Sequence, residues 1–165
     1  MDTTLLLLFI VTFTSILILP GPNVIFSVGQ SLKYVFFGSI CVPLGFMAST
    51  GIQAILVLSG LGLIVSKYAS VLIFLKWIGV AYLIYLAYKA FTKKPSVTEN
   101  NEKEMSKSKM FATAMLFSLT NPKALMASVL TYPVFISSAH PYEFQAFVLA
   151  VCAMIISFSI YGAYS

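Results

Sequence analysis

The residues with the clearest chemistry interrupt an otherwise apolar stretch, ILILPGPNVIFSV, at positions 16–28. At its centre stand Pro20, Gly21, Pro22 and Asn23. Proline removes a backbone donor and clashes with the preceding helical turn, and glycine permits dihedral angles that other residues rarely adopt. We expect this segment to leave amides and carbonyls without helical partners. The free amides at the start of the next half-helix can bind an anion, and the free carbonyls can bind an ammonium group or another cation.

A second interruption lies in FSLTNPKALM, where Asn121 and Pro122 precede Lys123. When Pro22 is placed over Pro122, the leucines three residues earlier also coincide. A lysine inside an apolar stretch is a functional candidate. It can bind a carboxylate, or it can lose its proton in a dry site; the alternative is that it caps carbonyls freed by Pro122. The sequence predicts a binding site for a zwitterion built from Pro20, Gly21, Pro22, Asn23, Asn121, Pro122 and Lys123.

The elements that carry these interruptions are predicted to cross a membrane. Of the 165 residues, 59% are hydrophobic and 9% are charged, with a mean hydropathy of +0.96, whereas roughly 25% of the residues in a soluble domain are charged. A spanning helix needs about 20 mostly apolar residues. Five stretches qualify, at about 4–27, 36–64, 69–91, 110–136 and 144–164. The sequence thus predicts an all-α, polytopic integral membrane helical bundle, with residues 1–165 forming one transmembrane domain.

The first stretch is expected to be a span and not a cleaved signal peptide. It begins with Asp2 instead of a basic segment, and it does not end in a small-residue cleavage site. The amino terminus of the mature protein is therefore expected to remain attached to the bundle.

The lysines predict the orientation of the chain. All ten basic residues are lysines, and six of them lie in or beside the polar linker at about 92–109. Lysine excess marks cytoplasmic loops, and acids contribute little. The linker is therefore predicted to be cytoplasmic, with Lys33 and Ser165 on the same side and with Lys67 and the amino terminus outside. The net charge of +5 follows from this topology, so no nucleic-acid partner is implied.

The linker also divides the chain into two similar parts, a first repeat at about 1–91 and an incomplete second repeat at about 110–165. Each part opens with a helix broken by proline. Because three spans lie between the starts of the two parts, the broken helices are predicted to enter the membrane from opposite sides. Paired breaks of this kind are typical of inverted-repeat transporters with a site near the bilayer midplane. The alternative is a chance similarity between two ordinary proline kinks.

The remaining polar residues offer no enzymatic chemistry, so the sequence predicts no catalytic residue, no metal and no cofactor. His140 is single, and Cys41 and Cys152 lie in different predicted spans without a CxxC pair. Both cysteines are interpreted as small apolar residues; the rival hypothesis is a membrane thiol carrier that uses both. All of the acids lie outside the predicted spans: Asp2, Glu99, Glu102, Glu104 and Glu143.

The motifs in their order resemble a known family. The segments PGPNVIFSVGQSL, GSICVPLGF, SGLGL, LKWIGVAYLIYLAYKAF and FSLTNPKALM extend over nearly the whole chain, and together they resemble the LysE/RhtB family of amino-acid exporters. The resemblance implies efflux of homoserine, threonine, lysine, leucine or close derivatives across a bacterial cytoplasmic (inner) membrane. It also implies coupling to an ion gradient, with protons as the expected ion. The implied partners are a small amino-acid substrate and the lipid bilayer.

Two departures from the family pattern affect these expectations. The family often has G-x-x-x-G in the second span, sometimes with an acid next and a histidine later, whereas this chain has Gly45, Ser49, Thr50 and Gln53. Gly45 and Ser49 still form a small-xxx-small packing face, but the acid that could carry a proton is missing. Family members also usually have a sixth hydrophobic segment after the position of Ser165. Either the sequence continues, or another chain supplies that segment in a homo-oligomer; a third interpretation is a non-transporting fragment.

Overall fold

The computed structural model describes residues 1–34, 39–61 and 105–165. A π-helical turn, Val57–Leu61, follows directly after the helix Cys41–Leu56. A 3-10 turn, Tyr132–Phe135, follows directly after the helix Pro122–Thr131. The described part of the chain contains no strand, and the predicted all-α fold is confirmed. The predicted span at 69–91 and the linker up to residue 104 lie outside the described residues. The helices of the described ranges are α1 (Thr3–Ile18), α2 (Pro22–Ser31), α3 (Cys41–Leu56), α4 (Lys107–Leu119), α5 (Pro122–Thr131) and α6 (Tyr142–Ala163).

Two described helical segments are long and apolar enough to cross a membrane, Cys41–Gly60 and Tyr142–Ala163. Helices α1 and α2 qualify together, but they are bent by 64° at the break between them. The predicted span at 110–136 is divided into α4, α5 and the 3-10 turn. The two or three candidate spans thus coincide with three of the predicted stretches, and the stretch at 110–136 is not among these candidates.

Helix α3 lies at the centre of the described bundle, because it packs most extensively against α4 and α6. Gly45 permits the close approach to α4: a methyl group at this position would lie 2.6 Å from the backbone oxygen of Phe111 and 2.9 Å from Cβ of Ala114. Ser49 follows one turn later and is fully buried. The small-xxx-small face predicted from these two residues is thus a helix-packing face.

An aromatic cluster connects α1 to the turn that follows α5. Phe9 and Phe13 stack with ring centroids 5.3 Å apart, and the ring of Phe9 lies 5.8 Å from Tyr132 and 5.6 Å from Phe135. All four side chains are buried. Aromatic pairs at these distances contribute beyond the area that they bury, so α1 is fixed to the second half of the chain.

Helix α6 has two distinct faces. Large apolar side chains, Phe144, Phe147, Val151 and Ile155, follow one exposed stripe, as expected for a surface in contact with lipid. The opposite face packs against α1 and α3 and is buried at every fourth residue: Gln145, Leu149, Ala153, Ser157 and Tyr161.

Two hydrogen bonds connect chain segments that are distant in sequence. The backbone N–H of Met105, at the end of the linker, donates to the hydroxyl of Tyr34 after α2, at 2.8 Å. The hydroxyl of Ser39, before α3, donates to the carbonyl oxygen of Ser165 at 3.2 Å. Met105 at the end of the linker therefore lies close to Tyr34 after α2. Ser165 lies close to Ser39 before α3.

Candidate functional site

Both predicted interruptions are breaks between helices. Helix α1 ends at Ile18 and α2 begins at Pro22, whereas α4 ends at Leu119 and α5 begins at Pro122. Each proline is the first residue of its helix, where the missing N–H would have had no intrahelical partner. Helices α2 and α5 each contain 10 residues. The two breaks therefore have the same construction, as the alignment of the two prolines indicated.

The role expected for Gly21 differs from the one that the structure shows. Gly21 was expected to supply unusual dihedral angles, but its φ of −170° and ψ of −177° are extended and open to any residue. The position is instead crowded: a methyl group on Gly21 would lie 3.0 Å from Cδ and 3.2 Å from Nζ of Lys123. Glycine leaves room here for the side chain of Lys123, which lies directly against the backbone.

The two breaks contact each other through buried asparagines. Nδ2 of Asn121 donates to Oδ1 of Asn23 at 2.7 Å. Nδ2 of Asn23 then donates to the hydroxyl of Ser118 at 3.1 Å and to that of Tyr161 at 3.4 Å. Asn23 is 3% exposed and Asn121 is 5% exposed. Buried amides need such partners, and here the partners come from the other break and from α6.

Lys123 crosses from the second break to the first. Its half-buried ammonium group donates to the carbonyl oxygen of Leu19, which caps the carboxyl-terminal end of α1. The last carbonyls of a helix have no intrahelical partner, and a cation is favourable there. The alternative expectation placed Lys123 on carbonyls freed by its own Pro122; the structure shows it on a carbonyl freed by the opposite break.

The starts of the two half-helices differ in their capping. Asn121 caps α5, because its side chain accepts from the backbone N–H of Lys123 at 3.0 Å. Gly21 has no side chain with which to cap α2. The amides at the start of α2 therefore lack a side-chain partner at their cap position, and the ammonium of Lys123 lies beside Gly21, the residue before them. Both features favour a negatively charged group at this point.

A small cavity lies between the two breaks, with room for about one water molecule. Four of the seven predicted site residues line it, namely Gly21, Asn23, Asn121 and Lys123. Pro20, Pro22 and Pro122 shape the breaks without lining it. The other lining residues are mostly apolar: Ile16, Leu17, Val24, Ala124, Ala127 and Tyr161.

Three residues that lie at or contact the breaks were not among the predicted site residues, namely Gln53, Ser118 and Tyr161. Tyr161 lies near the end of a strongly apolar helix, where no local signal indicates a polar contact. Ser118 directly precedes the break, and Gln53 is an amide inside the predicted second span. Polar residues within spans usually face the bundle interior, which was the available signal for Gln53 and Ser118.

The sequence profile of the LysE type translocators matches residues 14–164 of this chain. The chain belongs to this family. The resemblance noted from its motifs is thereby confirmed, and so is the prediction that the protein is a membrane transport protein and not an enzyme. Membership of the LysE family indicates a multi-pass membrane protein with a small-molecule substrate.

Individual relatives are identical to this LysE family member at about a quarter of the aligned positions. An uncharacterized membrane protein of Vibrio cholerae serotype O1 is 26% identical over 166 residues, which cover 100% of this chain and 81% of the relative. The homoserine/homoserine lactone efflux proteins of Salmonella typhimurium and Salmonella typhi are each 26% identical over 158 residues, covering 95% of this chain and 77% of each relative. No solved structure matches the chain.

Proposed function

We propose that this LysE family member exports amino acids of the homoserine class, or close derivatives, through the cavity between the two breaks. The contact that carries the proposal is that of Lys123, whose ammonium group lies against Gly21 and on the carbonyl of Leu19. A cation, an uncapped helix start and a freed carbonyl thus occur together. Those groups complement the carboxylate and the ammonium of one zwitterion. The names of two relatives add homoserine as the first substrate to test.

Binding would exchange one internal contact for two contacts with the substrate. The substrate carboxylate would take the ammonium of Lys123 and the first amides of α2. The carbonyl of Leu19, released by Lys123, would then accept from the substrate ammonium. Asn23 and Asn121 would flank the site with amide groups, and hydrogen bonds that involve a charged partner contribute more than neutral ones. The seven predicted residues, which come from both breaks, would together form one binding site.

The described conformation would be the closed, substrate-free state of the transporter. The cavity holds about one water molecule, which is too little space for an amino acid. Lys123 would therefore have to leave Leu19 and the two breaks would have to separate before substrate enters. Motion of one repeat against the other is how inverted-repeat transporters expose a central site to alternate sides. The second break is held against the candidate span Cys41–Gly60, since Gln53 of that span donates to the carbonyl of Ser118 just before the break.

We infer that the proton gradient drives this export. Among the residues that line the cavity, Lys123 and Tyr161 can exchange a proton, and Lys123 is the one held by a single carbonyl. A lysine in a site of low polarity releases its proton more readily than in water. Proton release from Lys123 would weaken its hold on a carboxylate, so proton movement and substrate release would be linked.

Transport by the purified protein in proteoliposomes tests the proposed function. Vesicles loaded with labelled homoserine should lose it faster than protein-free vesicles, and an imposed pH gradient should accelerate the loss. The same protein with Cys41→Ser and Cys152→Ser should transport normally, because neither cysteine lines the cavity. Loss of transport in that variant would instead favour the thiol-carrier hypothesis, and absence of homoserine efflux from wild-type vesicles would remove the proposed substrate.

We propose further that the protein lies in the cytoplasmic membrane with its linker in the cytoplasm. The contact between Met105 and Tyr34 supports part of this topology, since it places the linker end beside the loop that holds Lys33. A cysteine introduced at Asn100, with Cys41 and Cys152 replaced by serine, should resist an impermeant thiol reagent in intact cells and react after the cells are opened. Ready labelling of intact cells would reverse the orientation and would argue against export as the direction of transport.

A further inference from the structure

Gln53 contacts both halves of the second broken helix. Its side chain is 2% exposed and comes from α3, outside both breaks. Its Nε2 donates to the backbone carbonyl of Ser118, in the last turn of α4, at 3.1 Å. Its Oε1 accepts from the hydroxyl of Ser128, in the middle of α5, at 3.1 Å. One amide thus joins the segment before the break to the segment after it.

The geometry requires an amide of this length. An amide carries a donor and an acceptor on the same carbon, so one planar group can serve a carbonyl on one side and a hydroxyl on the other. The donor also reaches the hydroxyl of Ser49, one turn earlier on α3, at 3.5 Å. All of these partners are neutral. The amide is therefore held in one orientation, and its position is fixed because α3 packs tightly on α4 through Gly45.

We propose that Gln53 is a positioning residue that clamps α4 and α5 and thereby sets the angle of the break that presents Asn121 and Lys123 to the first break. The residues between the two clamped positions include Asn121 and Lys123, whose side chains make the contacts to Asn23 and Leu19. Release of either arm of the clamp would allow α5 to turn relative to α4. The role of the clamp in transport rests on the proposed function, but its effect on the geometry of the breaks does not.

The distance between the breaks can be measured by cross-linking. Asn23→Cys and Asn121→Cys, in a Cys41→Ser, Cys152→Ser background, place two thiols where two side chains meet at 2.7 Å. A short bifunctional thiol reagent should join them in detergent-purified protein without substrate. Addition of Gln53→Met, which keeps the length of the side chain and removes both hydrogen bonds, should abolish most of the cross-linked product.

Two further variants separate positioning from general destabilisation. Ser128→Ala removes one arm of the clamp and should reduce cross-linking in the same direction, but less. Thr50→Val is the matched control on the same helix: it removes a buried hydrogen bond of 3.0 Å to Ser157 on α6, which is not part of the clamp. It should leave cross-linking intact, even where it lowers the temperature of unfolding.

Each outcome of this experiment decides the inference. Unchanged cross-linking with Gln53→Met would overturn it, and so would an equal loss of cross-linking with Thr50→Val. The decision does not depend on transport: failure of the wild-type protein to move homoserine would remove the proposed function and leave the cross-link result valid. If wild type transports homoserine, Gln53→Met should lower the rate of efflux, and Thr50→Val should retain it.

Discussion

Replacing Lys123 with methionine is expected to reduce homoserine efflux by roughly 10- to 100-fold. A hydrogen bond that involves a charged group contributes about 1.5–3 kcal/mol, and each 1.4 kcal/mol corresponds to about a factor of ten. Methionine keeps the unbranched apolar stem and removes the ammonium group, so the packing against Gly21 is largely retained. The measurement is efflux of labelled homoserine from proteoliposomes, normalised to the amount of correctly folded protein.

Two comparison variants define what the loss means. Lys123→Arg should restore efflux only in part, because a planar guanidinium does not replace a compact ammonium group in the narrow space beside Gly21. Lys109→Met makes the same chemical change at an exposed lysine in the first turn of α4 and should leave efflux unchanged. Normal efflux by Lys123→Met would reduce Lys123 to a cap on the carbonyl of Leu19, and the site would then consist of backbone groups and the two asparagines.

Replacing Gly45 with alanine is expected to produce the largest loss of stability among glycine-to-alanine changes in the described helices. The added methyl would lie 2.6 Å from the backbone oxygen of Phe111 and 3.0 Å from the backbone nitrogen of Met115. Backbone atoms cannot rotate away, so α3 and α4 would have to separate. Overpacking of this kind costs about 1–3 kcal/mol. The temperature of unfolding in detergent, measured by loss of the monodisperse fraction on heating, should fall.

Gly51 on the same helix provides the matched control. A methyl group there would lie 3.0 Å from Sδ of Met154, at the far end of a flexible side chain that can move. Because alanine is favoured over glycine by roughly 0.5–1 kcal/mol inside a helix, Gly51→Ala should be neutral or slightly stabilising. Equal losses from the two substitutions would show that the small-residue face does not determine the distance between α3 and α4.

Much of the site was predictable because its signals are local. Proline in the interior of a helix kinks or breaks it, so Pro22 and Pro122 correctly marked the two breaks inside apolar stretches. The spacing of Gly45 and Ser49 indicated a packing face in the same local way. The carboxyl-terminal helix, predicted at 144–164, is observed as Tyr142–Ala163, since an apolar stretch of that length has few alternatives.

The contacts between distant residues were not predictable from local signals. The sequence singled out Lys123 and offered the carbonyls freed by Pro122 as one alternative partner, but no local rule indicates that Leu19 lies opposite. Gly21 was predicted as a site residue because of the dihedral angles that glycine permits, but its angles are ordinary, and the position is distinguished by its contact with a side chain 102 positions later in the chain. Gln53 was noted only as a departure from the family pattern, and its partners became apparent only from the packing of α3.

The hydrogen bond between Asn23 and Asn121 also has a consequence for biosynthesis. The two residues are 98 positions apart, and a ribosome adds about 5–20 residues per second. The first break therefore exists for roughly 5–20 s before its partner has been synthesised. During that interval the amide of Asn23 must be satisfied by water, by the insertion machinery or by lipid headgroups. The nascent chain thus carries a polar side chain, Asn23, whose protein partners are not yet present. Synthesis of the second half of the protein supplies them.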